Sequence, residues 1–213
     1  MAWFTRVTRF GDMHLVYGQE ANMSCGIASV IMCVFKINKL RPGAQAVHVE
    51  KEIYDKYSAA SGGAYKPEKV GTRPEHLVTV LDSLNCGKWQ WSAVPSASAS
   101  QRIIEEVGIS GLGPTLTVDP VIVGIDWDEG GAHWVVIDTI RSVGGTMYAT
   151  ICDPWDTNVH VQSLTPGQPF TYQAGQGGFS VDFWGSHKGQ TSPYSATSQG
   201  RVKTWGMIYR KRT

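Results

Sequence analysis

The stretch "EANMSCGIASVIMCVF", residues 20–35, places a polar loop directly before a long apolar run. Asparagine and serine, here Asn22 and Ser24, commonly satisfy the free backbone N–H groups at the start of a helix. The apolar side chains beyond them recur at helical spacing, at Ile27, Val30, Ile31, Val34 and Phe35. The pattern predicts a helix that begins near Ser24, buries an apolar stripe and ends before Pro42-Gly43.

A cysteine stands in the first turn of this predicted helix. At a helix N-terminus the thiol pKa falls below its usual value of about 8.5, because free N–H groups and the helix dipole favour the thiolate. Gly26 follows Cys25 and puts no bulky side chain in the way of a substrate. Cys25 is therefore a candidate nucleophile, and filling space near a helix end is the structural alternative.

The rest of the first half is predicted to be mainly helical. Residues 44–60 form a second amphipathic segment, and "TRPE", residues 72–75, has the spacing of a capping box with a proline in the first turn. The apolar face that follows ends at Gly87, and "SQRIIEEVG", residues 100–108, predicts a further short helix.

The second half is rich in β-forming residues. The runs "PVIVGIDW", "HWVVIDTI" and "TMYATICDPW" predict neighbouring strands over residues 120–155. Further strands are predicted at 157–164 and 201–209, with long surface loops over 166–200. A helical half followed by a strand-rich half indicates an α+β fold, in which helices pack on an antiparallel sheet around a cleft.

We expect one domain over residues 1–213. Residues 1–18 form an N-terminal extension, 19–154 carry the catalytic motifs, and 155–213 supply C-terminal strands and loops. The four cysteines show neither a paired framework nor CxxC spacing, so we expect reduced thiols, no cofactor and no metal. The net charge of +1 gives no footprint for nucleic acid.

The sequence also bears on localisation. Residues 1–20 lack the continuous apolar core and the small-residue cleavage site of a Sec signal. No apolar run approaches the ~20 residues that a membrane-spanning helix needs. We therefore expect cytoplasmic synthesis and no membrane span, with export through a signal-independent secretion system as an extension of this interpretation.

A cysteine nucleophile needs a base and a group that orients the base. His133 begins a β-run directly after a glycine loop, and Asp153 ends the neighbouring predicted strand, within reach across the sheet. Asp138, deeper along the strand of His133, is the alternative orienting group. Gln19, six residues before Cys25, carries an amide N–H that could meet a developing oxyanion.

The order Gln-Cys-His-Asp resembles the papain-like cysteine peptidases. The local words "Q…CG.A", "H.VVI" and "DP" are similar to those of the bacterial double-glycine leader peptidases (the C39 family), and staphopain and AvrRpt2-type peptidases are similar in outline. The resemblance runs from Gln19 to Pro154. It implies a papain-like fold with Cys25 as nucleophile, His133 as general base and acid, Asp153 as its orienting group, and Gln19 in the oxyanion hole. The residues after Pro154 have no counterpart in the leader peptidases.

Other candidate residues surround this set. Trp134 and Trp155 flank the proposed base and its orienting group, where they shield the pair from water, line a substrate subsite or pack in the core. We interpret "DWDEGG", residues 126–131, as a solvated acidic loop rather than a cation site. The remaining histidines show no ligand spacing and predict no zinc site: His14, His48, His76, His160 and His187.

These observations predict a thiol hydrolase that cleaves a peptide or amide bond of a peptide or protein substrate. A bacterial effector role would add a cognate inhibitor or a secretion partner. Deamidation or transglutaminase-like acyl transfer uses the same acyl-enzyme and stays open as an alternative. The second alternative is a non-catalytic binding module on a peptidase scaffold, which is expected to have lost a member of the triad.

Overall fold

The computed structural model describes residues 3–63, 65–110, 119–173, 180–182 and 199–212. Within these ranges the chain forms four α-helices, which all lie between residues 25 and 107, and eleven strands, which lie before, among and after them. The helices are α1 (Cys25–Asn38), α2 (Glu50–Ala60), α3 (Pro74–Ser83) and α4 (Ala99–Val107). The strands are β1 (Trp3–Thr8), β2 (Met13–Tyr17), β3 (Trp89–Ser92), β4 (Val121–Trp127), β5 (Ala132–Val143), β6 (Thr146–Asp153), β7 (Asn158–Leu164), β8 (Thr171–Gln173), β9 (Ser180–Asp182), β10 (Gln199–Arg201) and β11 (Met207–Arg210).

The strands form two antiparallel sheets. The larger sheet has the order β3-β11-β4-β5-β6-β7, and β10 joins it by pairing with both β4 and β8. The smaller sheet has the order β2-β1-β9. The mixture of helices with antiparallel sheets that the sequence predicted is confirmed, while the predicted N-terminal extension forms the hairpin of the smaller sheet.

The larger sheet is buried on both faces because its central strands alternate between two apolar cores. Ile122 and Val136 face the core that α1 and α3 complete, whereas Val123 and Val135 face the core covered by α4. This arrangement explains why β4 and β5 appear in the sequence as continuous apolar runs. The first ten residues of helix α1 are all buried, so the helix is covered on every side there, which is typical of a central helix.

Three local predictions are wrong for identifiable reasons. Ser24 occupies the N-cap position of α1, but its hydroxyl bonds to the carbonyl of Ala21, 2.9 Å away, and not to the helix. Helix α3 begins at Pro74 without a side-chain cap, so Thr72 is not part of a capping box. Strands β8 and β9 lie within the segment predicted to be loops, since pairing with distant strands stabilises them.

Within the described residues, no helix combines the length and the apolar character required to cross a membrane.

Candidate active site

Cys25 is the first residue of α1 and lines a cavity of about 600 Å³. Its side chain is buried, at 8% exposure, so the sulfur meets the cavity and not the open surface. The loop before it is tied to the body of the protein at two backbone positions: Gln19 N donates to Pro154 O (2.9 Å), and Met23 N donates to Pro67 O (2.8 Å). The sequence thus places a thiol at a helix start that the surrounding chain holds in position.

His133 lies on the same cavity wall, at the start of β5. Its Nε2 is 2.8 Å from Asp153 Oδ1, and the imidazole lies close enough to Cys25 to interact with its thiol. Because Nε2 is engaged by the carboxylate, Nδ1 is the ring atom left to face the sulfur. The structure therefore brings together Cys25, His133 and Asp153, which lie up to 128 residues apart in the sequence.

Within the described residues, Asp153 accepts three hydrogen bonds. Its Oδ1 accepts from His133 and from the backbone N–H of Trp155 (2.7 Å), and its Oδ2 accepts from the hydroxyl of Tyr172 (2.6 Å). Both oxygens are thus fixed, and the carboxylate in turn fixes the plane and tautomer of the imidazole. The ring of Trp127 stacks on His133 with centroids 6.1 Å apart and restricts it further.

The charges of this pair reinforce each other. Burial favours the neutral imidazole, but the carboxylate of Asp153 and the nearby Cys25 outweigh burial and hold the pKa of His133 above its usual value. Burial would likewise raise the pKa of Asp153, yet the charge and hydrogen bond of His133 keep it well below its usual range. An imidazolium held next to a thiol is the arrangement that stabilises a thiolate.

Asp138, the alternative orienting group, is engaged elsewhere. Its Oδ2 is 2.6 Å from His14 Nδ1 and its Oδ1 is 2.8 Å from Lys36 Nζ. Burial opposes the charge of this carboxylate, but Lys36 and His14 hold its pKa well below the usual range. The carboxylate that orients His133 in this structure is that of Asp153.

Gln19 is buried directly before the loop that leads to Cys25. Its amide nitrogen donates to the carbonyls of Ala21 (2.8 Å) and Asn22 (3.1 Å). Both amide hydrogens therefore hold the loop in this conformation, and the loop must release one of them before Gln19 can donate to an oxyanion. Gln19 is also absent from the described residues that line the cavity.

Gly26 has a packing role that the sequence did not indicate. A Cβ at this position would overlap Thr72 Oγ1 and approach Leu77 Cδ1 to 3.0 Å. The missing side chain lets α1 pack directly against the segment that leads into α3. Gly26 does not line the cavity among the described residues, so the predicted contact with substrate is replaced by a contact between elements.

The predicted tryptophans both line the cavity. Trp134 is buried and its Nε1 donates to Thr72 O (3.3 Å), which ties β5 to the loop before α3. Trp155 is half-buried beside Asp153. A third indole, that of Trp205, completes this apolar wall from the turn before β11. Nothing local in the sequence marks Trp205, because only strand pairing brings it to the site.

A buried carboxylate on α2 supports the loop that leads to Cys25. Glu50 Oε2 accepts from the backbone N–H of Glu20, 2.8 Å away, in the loop before α1. Burial raises the pKa of Glu50 to about 7. Sequence reasoning missed Glu50, because it is a polar residue in a helix whose burial depends on the tertiary fold.

In the described part of the chain, two clusters of side chains have metal-ligating atoms within 4.8 Å of one another, although the spacing of the histidines gave no sign of them. They are His14, Asp138 and Cys152, and Asp153, Asp156 and His160. The charge of Lys36 in the first cluster, and the donors to Asp153 in the second, occupy the carboxylates that a cation would require. His187 lies outside the described residues.

The acidic side chains at the end of β4 and in the loop after it bind groups of the same chain. Asp126 Oδ2 accepts from the backbone N–H of Thr204 (2.8 Å), and Asp128 forms ion pairs with Arg201 (3.1 Å) and Lys203 (3.7 Å). These contacts hold the loop to the segment around β10, and residues 128–131 are exposed, as expected of a solvated acidic loop.

A scan against models of known protein families finds no match, and a search of curated proteins finds no significant match. Inference about function therefore depends on the geometry of the site.

Proposed function

We propose that this chain is a thiol hydrolase that cleaves a peptide or related amide bond, and that its helices and sheet have a papain-like arrangement. Helix α1 presents Cys25 at its first residue and packs against β5, which presents His133 at its second residue. One observation carries the proposal: a single imidazole binds the carboxylate of Asp153 and interacts with the thiol of Cys25 at the wall of one cavity.

In the proposed reaction, the sulfur of Cys25 attacks the carbonyl carbon of the scissile amide. His133 donates its proton to the leaving nitrogen, the C–N bond breaks, and a thioester joins the acyl group to Cys25. Water then attacks the thioester while His133 accepts a proton from it. The carboxylic acid leaves, and the sulfur and imidazole return to their starting state.

Asp153 keeps its negative charge throughout this cycle. It stabilises the imidazolium whenever His133 carries two protons, and the donors Tyr172 and Trp155 stabilise the carboxylate in turn. The N–H of Cys25 stands in the first helical turn, where it has no acceptor inside the helix, and we propose that it faces the oxyanion. Gln19 would add a second donor when the loop releases one amide hydrogen.

The pH dependence of Cys25 alkylation tests this proposal. In the native protein, iodoacetamide is expected to react with Cys25 near pH 6 far faster than with free cysteine, because His133 stabilises the thiolate. His133→Ala should remove this advantage, and a reaction at pH 6 that ignores His133 would contradict the proposal. Cys33, Cys86 and Cys152 are at most 2% exposed, whereas Cys25 meets the cavity, and Cys25→Ala is the control that assigns the label to Cys25.

Product analysis then identifies the reaction. Hydrolysis of a model peptide yields two fragments, whereas deamidation of a glutamine-containing peptide releases ammonia and leaves the chain intact. Cys25→Ala should abolish the product while the protein remains folded, as judged by its circular dichroism spectrum. Ammonia release without chain cleavage would replace the hydrolase proposal with the deamidase alternative.

A further inference from the structure

The cavity at Cys25 has a strongly apolar wall. Met23 and Val70 lie at its edge, with 37% and 49% of their surface exposed, and the indoles of Trp134, Trp155 and Trp205 form its sides. The volume of about 600 Å³ falls within the range of roughly 300–1,000 Å³ that is typical of small-ligand sites. Such a wall favours a substrate group that is itself large and apolar, because both surfaces leave water together.

The indole of Trp205 is held rigidly in this wall. Trp91 Nε1 donates to the carbonyl of Trp205 (2.7 Å), and the ring meets that of Trp134 edge-on, with centroids 5.9 Å apart. Gly124 makes this approach possible, since a Cβ there would overlap Trp205 Cβ and come within 3.0 Å of Trp134 Cζ3. A preformed aromatic surface binds a ring-sized group without first losing its own conformational freedom.

One permanent charge borders this apolar wall. Among the described residues that line the cavity, Arg73 alone carries a charge that does not depend on the catalytic pair. Its backbone N–H donates to the hydroxyl of Tyr57 (2.7 Å), which fixes the loop that carries it. The guanidinium is exposed and forms no ion pair within the described part of the chain, so its donors are available to a ligand.

We propose that the cavity selects substrates that combine a bulky apolar side chain with a carboxylate, with Trp205 contacting the side chain and Arg73 the carboxylate. This proposal rests on the proposed function, because it concerns the substrate of the same cysteine. A guanidinium is suited to the task, since its planar N–H donors match the two oxygens of a carboxylate.

Affinity labelling of Cys25 tests the proposal without a known substrate. The reagents are N-iodoacetyl-phenylalanine, N-iodoacetyl-glycine and the C-terminal amide of each, so ring and charge vary independently. In each reaction the sulfur displaces iodide and forms a thioether, which mass spectrometry locates. The rate of each reagent is first divided by the rate of iodoacetamide with the same protein. This ratio is then divided by the same ratio measured with free cysteine, which removes the intrinsic reactivity of the reagent.

We expect the phenylalanine carboxylate to label the native protein fastest. Its advantage over its own amide should be about fivefold at low ionic strength and should shrink as salt is added, as an exposed ion pair requires. Arg73→Gln should bring the two reagents to the same normalised rate, and Arg73→Lys should retain part of the difference. Equal normalised rates in the native protein, or a preference that survives in Arg73→Gln, would overturn the role of Arg73.

The ring contact is tested separately. Trp205→Leu should reduce the advantage of the phenylalanine reagents over the glycine reagents, and the milder Trp205→Phe should reduce it less. An advantage unchanged in both variants overturns the role of Trp205, as does an equal rate of ring and glycine reagents in the native protein. The normalised rates remain defined even if iodoacetamide shows no dependence on His133, so failure of the proposed function and failure of this inference give different results.

Discussion

The hydroxyl of Tyr172 donates to Asp153 Oδ2 across 2.6 Å, inside a fully buried contact. The oxygen that Tyr172 binds is the one that His133 leaves free, so the two contacts do not compete. Tyr172 belongs to β8, in the part of the chain that follows the predicted catalytic motifs. The C-terminal segment thus contributes a side chain to the support of the triad, in addition to the indole of Trp205.

Removal of this hydroxyl should weaken catalysis without removing a catalytic group. In Tyr172→Phe the carboxylate loses the donor that holds Oδ2, so Asp153 is less firmly positioned and its hydrogen bond to the imidazolium of His133 weakens. We expect kcat/KM for a model peptide to fall by about tenfold, equivalent to about 1.4 kcal/mol. The acid limb of Cys25 alkylation should move to higher pH, because a less stabilised imidazolium supports the thiolate less well, and the thiolate then forms only at a lower proton concentration.

Tyr209→Phe is a matched control for this change. The Tyr209 hydroxyl binds Arg102 Nη2 (2.8 Å) on α4, in a contact that does not include the triad. Tyr209→Phe should therefore leave the acid limb of Cys25 alkylation at its native pH. A Tyr172→Phe variant that loses thermal stability but keeps the alkylation profile of the native protein would show that Tyr172 has only a structural role.

Gly26→Ala is expected to destabilise the fold. Alanine in place of glycine favours a helix by about 1 kcal/mol, whereas the added methyl group would overlap Thr72 Oγ1, and overpacking of this kind costs about 1–3 kcal/mol. The overlap should prevail, with a net loss of about 1 kcal/mol in the free energy of unfolding measured in urea.

A second substitution shows whether the overlap is the cause. Thr72→Ala removes the obstructing hydroxyl and leaves Cβ in place, so the double variant should recover part of the loss, as a positive coupling in a double-mutant cycle. Strictly additive effects of the two substitutions would mean that Gly26 is required for another reason.

The parts of the fold that sequence reasoning could predict are those with a local signal. Helix α1 has apolar residues at helical spacing, and β4, β5 and β6 are apolar runs rich in β-forming residues. These signals do not depend on which distant segment each element packs against. The positions of Cys25 and His133, the proposed nucleophile and base, were predictable for the same reason, since each stands at the first turn or first residues of such an element.

What the sequence could not indicate depends on contacts between distant segments. Tyr172 lies in a strand of three residues whose pairing partner, β10, begins at Gln199. The hydroxyl of Thr72 has the spacing of a helix cap but is directed towards Gly26, because α1 and α3 approach each other there. In both cases tertiary packing decides between local options of similar energy.

Asp138→Asn should separate stability from catalysis. The carboxylate of Asp138 pairs with Lys36 and His14 away from the triad, and removing one member of a buried ion pair costs about 3 kcal/mol. We expect a large fall in unfolding free energy, measured in urea, while the folded fraction keeps its kcat. Asp153→Asn should show the reverse pattern, with kcat lost and the protein folded. A kcat that collapses in Asp138→Asn would restore Asp138 as the orienting group.

The pH dependence of stability should carry the signature of Glu50. Its pKa is about 7 in the folded protein, against a reference value of 4.5. Between these two values the folded state binds more protons than the unfolded state, so unfolding free energy falls as pH rises from 4.5 to 7. The stabilisation from Glu50 is present in full below pH 4.5 and is lost above about pH 7. An ion-paired carboxylate such as Asp138 behaves in the opposite way, because its stabilisation is lost as the pH falls. In Glu50→Gln this part of the slope should disappear from urea unfolding curves recorded across the window.

Glu68→Gln provides the comparison, because Glu68 is exposed and lies at the same cavity of about 480 Å³ as Glu50. It should leave the slope intact. A Glu50→Gln protein whose stability still falls through this window would assign the titration to another group.

The carboxylate of Glu50 accepts from the N–H of Glu20, and the amide offers one acceptor oxygen fewer. The variant should therefore also loosen the loop before Cys25, which hydrogen exchange at the N–H group of Glu20 would detect as lost protection.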